Sequence, residues 1–176
     1  NVLSTISYTC PPTNELCANA IALACNSTVS GTTVSASGTG APTANCTDAG
    51  ANDPYVFHTG VGGVWYTVAG FNGTMRASTC GSSFDTQIWV GTTPDCVTLT
   101  CVAGNDDAGG LCPSNGTRSV TTWTGSSSQT YYIYVTGWST TGAYTLSVTC
   151  GDTNPSCTAN GLNLEFQNDG SASQVT

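Results

Sequence analysis

The sequence predicts an all-β protein: an antiparallel β-sandwich of jelly-roll type, crosslinked by disulfides and flanked by strand-like arms. Three observations carry this. Short runs of Val, Thr, Tyr, Ile and Trp are punctuated by Gly, Asn, Ser and Pro. Several of these runs recur at the roughly 8–12-residue spacing of sandwiches. Ten cysteines occur in 176 residues, with no Cys-x-x-Cys pair and with His58 as the one histidine, which implies a disulfide framework and not a zinc site.

In chain order, a single helical turn is expected over 14–20, with Asn14 as its cap and Ala18, Ala20 and Ile21 turned inward. Strands are expected at 28–34, 64–68, 74–78, 87–90, 97–102, 119–123, 130–136 and 144–149. The stretch 38–54, rich in Gly, Ala, Asn and Pro, reads as a long loop tethered by Cys46. Alternation in 130–136 sets Tyr131, Ile133 and Val135 on one face and Tyr132 and Tyr134 on the other; Val64, Tyr66 and Val68 likewise oppose Trp65 and Thr67. Cys10, Cys17, Cys25, Cys46, Cys80, Cys96, Cys101, Cys112, Cys150 and Cys157 are all expected to be oxidised. Their connectivity stays open, with one local exception: Cys96 and Cys101 flank Val-Thr-Leu-Thr, and a short loop can bring them together.

Two segments lie outside this pattern. The N-terminal arm, 1–13, alternates Ile6 and Tyr8 with Ser and Thr. The C-terminal arm, 151–176, contains Leu162, Leu164 and Phe166 in strict alternation, a candidate donor strand over 162–166. Three apolar residues at period two are not what a solvated tail requires, so something is expected to cover them.

Five phrases in fixed order carry a resemblance: Cys17-Ala18-Asn19-Ala20-Ile21, Val64-Trp65-Tyr66, Phe84-Asp85-Thr86, Gly104-Asn105-Asp106-Asp107 and Tyr131-Tyr132-Ile133-Tyr134-Val135. Over about 14–150 the chain resembles the pre-peptidase C-terminal domain, a secreted β-sandwich module found appended to extracellular proteases and surface proteins. The resemblance implies binding, folding or tethering, with chemistry left to a neighbouring domain; here the domain is expected to stand alone. It also implies calcium bound by acidic residues near the domain's start, which would involve Glu15.

Charge narrows the partners. The chain has no lysine, only Arg76 and Arg118 as fixed cations, and a net charge of -8. Phosphate-rich nucleic acid and anionic membranes both call for basic residues, so neither is an expected partner. No stretch reaches the roughly 18 apolar residues of a membrane span, and the chain is expected to be the mature form of a secreted, extracellular or cell-surface protein. Sequons at Asn26, Asn45, Asn72 and Asn115 are the expected glycan positions if the source glycosylates.

Chemistry has few candidates. Asp85, Asp106 and Asp107 can offer hard oxygens to calcium, the one cofactor considered; the competing reading is that they bond their own turns. His58 has no nucleophilic elbow beside it, and Glu15 and Glu165, the only glutamates, sit at the periphery, so no enzyme is expected. Trp65 and Trp89 read as core, whereas Trp138, after Gly137, is the candidate for an exposed ligand platform. The expected function is a secreted structural subunit that self-assembles into an extracellular fibre or surface array, its partners being copies of itself. The alternative is a carbohydrate- or matrix-binding module whose arms fold onto their own domain.

Overall fold

The computed structural model of the protein describes residues 10–43, 46–47, 54–55, 61–113 and 116–151. These form strands β1 (Ile21–Leu23), β2 (Ser27–Thr32), β3 (Cys46–Thr47), β4 (Pro54–Tyr55), β5 (Val64–Ala69), β6 (Gly73–Ser78), β7 (Thr86–Thr92), β8 (Thr100–Asn105), β9 (Val120–Gly125), β10 (Thr130–Gly137) and β11 (Ala143–Cys150). A five-stranded sheet in the order β1-β5-β10-β7-β8 faces a four-stranded sheet in the order β2-β11-β6-β9, and β3 and β4 form a separate ribbon. From β5 to β11 the chain crosses between the sheets at every connection except the β7–β8 hairpin, the alternation expected of a jelly-roll-type sandwich. Pairing is antiparallel throughout, save that β1 lies parallel to β5 with Ile21 opposite Tyr66.

The alternation in β10 divides its residues as expected, but both faces are buried. Tyr131, Ile133 and Val135 join Val64, Tyr66 and Val68 in the core between the sheets, against Met75, Leu146 and Val148. Tyr134 points the other way and packs with Trp65 and Trp89 into a second cluster on the outer face of the five-stranded sheet. Ring centroids there are 5.7 Å apart for Trp65 and Trp89 and 4.9 Å for Trp65 and Tyr134. The cover over this cluster is a single 3-10 turn at Cys17–Asn19, held by the Cys17–Cys96 bridge, together with Cys46, bridged to Cys101.

The expected turn of helix over 14–20 is thus a 3-10 turn of three residues, and Asn14 does not cap it. Asn14 is buried and extends the sheet instead: its Nδ2 donates to the Trp65 carbonyl at 2.8 Å and its own carbonyl accepts from the Trp65 N–H at 2.7 Å. The loop expected over 38–54 contains a 3-10 turn at Gly38–Gly40 and strand β3, and ends in β4.

The strand expected at 97–102 begins only at Thr100, and Cys96 and Cys101 are not bonded to one another; Cys96 pairs with Cys17 and Cys101 with Cys46. The cause is local. Asp95 accepts from the N–H groups of Val97 at 2.9 Å and Thr98 at 2.7 Å, an Asx turn that keeps 95–98 out of the sheet. Those two donors, Thr98 first, also hold the Asp95 carboxyl below the ordinary carboxylate range. Cys96 takes a left-handed φ of 60° in this turn, which sends its sulfur to Cys17. The remaining bridges are Cys25–Cys150 and Cys80–Cys112. Cys10, expected to be bonded like the rest, is exposed and outside any bridge, and Cys157 lies outside the described residues. Four bridges assign folding to an oxidising compartment. No helix among the described residues is long and apolar enough to cross a membrane.

Candidate functional site

Antiparallel pairing of β7 with β8 sets the start of one beside the end of the other, and this brings the predicted carboxylates together. Asp85 immediately precedes β7, and Asp106 and Asp107 immediately follow β8; one ligand oxygen from each lies within 4.8 Å of the others. Beneath them is a buried polar network. Asn105 Oδ1 accepts from the Val120 N–H at 2.8 Å, Thr79 and Thr86 share a hydroxyl contact at 2.6 Å, and the Ser119 hydroxyl donates to the carbonyls of Thr86 and Asp106. Asp85 Oδ1 is buried with no hydrogen-bond donor, and burial, with Asp107 second, raises the Asp85 carboxyl above its ordinary range against the opposing pull of Arg118. Arg118 is itself anchored, its Nε donating to the Ser82 carbonyl at 2.7 Å.

The trio suits a hard cation in ligand type. It supplies fewer than the roughly six to eight oxygens calcium takes, so backbone oxygens or water would complete the shell. Glu15 is not part of it: its Oε2 accepts from the Ser37 N–H at 2.7 Å and the Ser37 hydroxyl at 2.9 Å, fixing the loop after β2.

A prediction follows from the burial of Asp85 beside Asp107. In chelator, Asp85→Asn is expected to melt above wild type at neutral pH and level with it near pH 3. The folded state holds the Asp85 proton more tightly than the unfolded chain does. Its stabilising contribution is therefore full below the ordinary value of 3.8 and is lost as pH rises through the folded value. Added calcium should raise the melting temperature of wild type and not of the variant; no rise in wild type would leave the trio as turn structure alone.

Trp138 adjoins this corner. It is 41% exposed, and its N–H donates to the Asp85 carbonyl at 3.3 Å. Of the sequons, Asn26 and Asn72 are described and exposed. Each uses Oδ1 as an acceptor, from Cys150 N–H at 3.0 Å and Ser127 N–H at 2.7 Å, so a glycan on Nδ2 would leave both bonds in place. Asn45 and Asn115, His58, and the arm residues Ile6, Tyr8, Leu162, Leu164 and Phe166 lie outside the described residues.

Two concavities adjoin the elements described above. One, about 450 Å³, lies beside Trp65 between Leu16 and Leu99, with the Cys17–Cys96 bridge in its lining. The other, about 300 Å³, runs along the side of the sandwich where β1 and β2 are the terminal strands of their sheets. Ile21 and Cys10 stand on one wall, Val29 and Gly31 on the other, and the hydroxyls of Tyr66 and Tyr144, hydrogen-bonded to each other, meet at its base. Sequence reasoning missed this groove. Its signal was Gly31, isolated within an expected strand: a Cβ there would meet the Tyr144 hydroxyl oxygen at 2.3 Å, so only glycine lets that ring lie across β2.

In comparisons with protein-family models, curated proteins and solved structures, nothing matches this chain.

Proposed function

We propose that the chain is a secreted structural subunit that assembles head to tail with copies of itself through its terminal arms. The observation that supports this is the open side of the sandwich. There β1 spans only three residues of β5, and β2 pairs with β11 alone among the described residues, so a six-residue edge presents unmatched backbone donors and acceptors. Such an edge is a template for an added strand, and adding one satisfies backbone bonds and places alternate side chains in pockets. The alternation of Leu162, Leu164 and Phe166 is the pattern such a strand would carry. A contact of this kind is not self-complementary, so it builds rings where the rotation closes and filaments where it does not.

The test is a chain ending at Thr158, compared with the full chain by sedimentation velocity. The full chain is expected to sediment as an assembly and the shortened one as a monomer. Equal behaviour of the two would remove the proposal.

A binding module is the second reading, favoured by exposed Trp138 beside the acidic trio and in keeping with the resemblance to pre-peptidase C-terminal domains. A monomeric full chain whose Trp138 fluorescence shifts on adding oligosaccharide would favour it.

A further inference from the structure

We propose that the groove between β1 and β2 receives the 162–166 segment of a second copy of this chain, and that a disulfide between Cys10 of the acceptor and Cys157 of the donor locks it there. This rests on the assembly reading and adds the receiving surface and the lock.

Among the described residues the groove is the side of the sandwich left open. At the opposite side β8 is covered: Cys46 of β3 is bridged to Cys101, its sulfur lies 3.2 Å from the Ala103 carbonyl, and its Cβ sits 2.8 Å from where a Gly104 Cβ would be. Among the described residues no such ribbon lies against β2. The outward residues of β2 are polar, with Thr28 bonded to Ser147 at 2.8 Å, and Ser30 and Thr32 border the groove together with Val29 and Gly31. Ile21 remains 44% exposed on the facing wall. A strand with three apolar side chains on one face and Asn163 and Glu165 on the other can set its apolar face toward Ile21 and Val29 and its polar face toward solvent.

Cysteine count identifies the occupant. Eight of the ten cysteines form four bridges, Cys10 stands unbonded on the groove's rim, and Cys157 is the one remaining cysteine of the sequence. Reach then favours a neighbour's Cys157. Asn14, close to Cys10 in the chain, brackets Trp65 at one end of β5, whereas the Cys25–Cys150 bridge lies by Ala69 at the other, and the chain leaves from there. Spanning the length of β2 takes the six steps from Gly151 to Cys157 almost fully extended, at roughly 3.3 Å each. Asn154-Pro155 within those steps favours a turn and shortens them. A donor from another copy is free of that limit, and Asn160-Gly161, a turn pair, can lead its strand into the groove from the Cys10 end.

The bond forms by thiol–disulfide exchange. The two thiols give up two protons and two electrons to a disulfide oxidant of the oxidising compartment, which leaves as a dithiol.

The test uses the full chain. Denatured without reductant, it should run as a ladder of covalent multimers that collapses to monomer on reduction, and the peptide map should contain a Cys10–Cys157 link. Ile21→Arg should cut the assembled fraction by about tenfold or more, because the seated strand would bury an unpaired charge. Val97→Arg, on a turn 80% exposed and outside the groove's lining, should assemble as wild type does. A Cys10–Cys157 link found only within monomers would mean the tail docks on its own domain and would overturn the proposal. Wild-type assembly by Ile21→Arg would overturn the groove as acceptor. In either case, dispersal on truncation after Thr158 would show that the assembly reading survives without it.

Discussion

Trp65→Ala is expected to destabilise the sandwich by about 3–5 kcal/mol, among the largest losses a single substitution here can give. Trp65 is fully buried, yet it lies on the outer face of the five-stranded sheet, away from the core between the sheets. Its removal takes ring contacts from Trp89 and Tyr134, and it also leaves the Gly40 carbonyl without the Nε1 donor now 2.8 Å away. The cavity cannot collapse easily, because Cys17–Cys96 pins the cover above it. Trp65→Phe keeps part of the ring and should lose less, chiefly the hydrogen bond at about 1–3 kcal/mol for the orphaned carbonyl and whatever volume is unfilled. Trp138→Ala, at an exposed site, should stay within about 0.5 kcal/mol. Urea denaturation of the three variants checks the order; a Trp65→Ala loss no larger than that of Trp138→Ala would mean that the outer cluster contributes nothing to stability.

Replacing Cys25 and Cys150 together by alanine is expected to cost about 3–4 kcal/mol. This bridge closes the longest loop, with a sequence separation of 125, against 32 for Cys80–Cys112. Restricting the unfolded chain over so long a closure would be worth nearly 5 kcal/mol for a lone bridge, but the other three already shorten the remaining loop. The bridge also joins the start of the β2 edge to the end of β11, so its loss should fray that edge first. Hydrogen exchange on the amides of β2 and β11, beside urea denaturation, checks both claims. An unchanged midpoint would mean that the unfolded chain is held compact without it.

Legibility of the fold tracked how local the cause was. The strands around β5, β10 and β11 could be read because period two is a property of neighbouring residues, and the division of β10 into two faces followed from it, though not which face meets the opposing sheet. What failed depended on partners far away. β1 is three residues long and exists because β5 offers a parallel edge 45 positions on, opposite Ile21 at Tyr66. Asn14 looked like a cap because its neighbours allowed one; its real partner is Trp65. Cys96 and Cys101 were near in sequence, but an Asx turn at Asp95 and the pleat of β8 sent their sulfurs to different partners. Asp85, Asp106 and Asp107 were found because acidic residues at strand ends are conspicuous, and their convergence required only the β7–β8 hairpin. The groove was not found, because it belongs to no element: it is the gap between two terminal strands.

The Cys25–Cys150 bridge also decides how the domain carries mechanical load. A pull applied between Cys10 and Gly151 travels along the short path from Cys10 to Cys25 and crosses directly to Cys150. Everything from Asn26 to Thr149 is then a closed covalent loop that takes load only through the Cys17–Cys96 bridge. Such a pull can peel β1 from β5, releasing at most about 3.6 Å for each residue freed, but it cannot unravel the sandwich. A chain of such domains would behave as a nearly inextensible cord for as long as its disulfides stay oxidised.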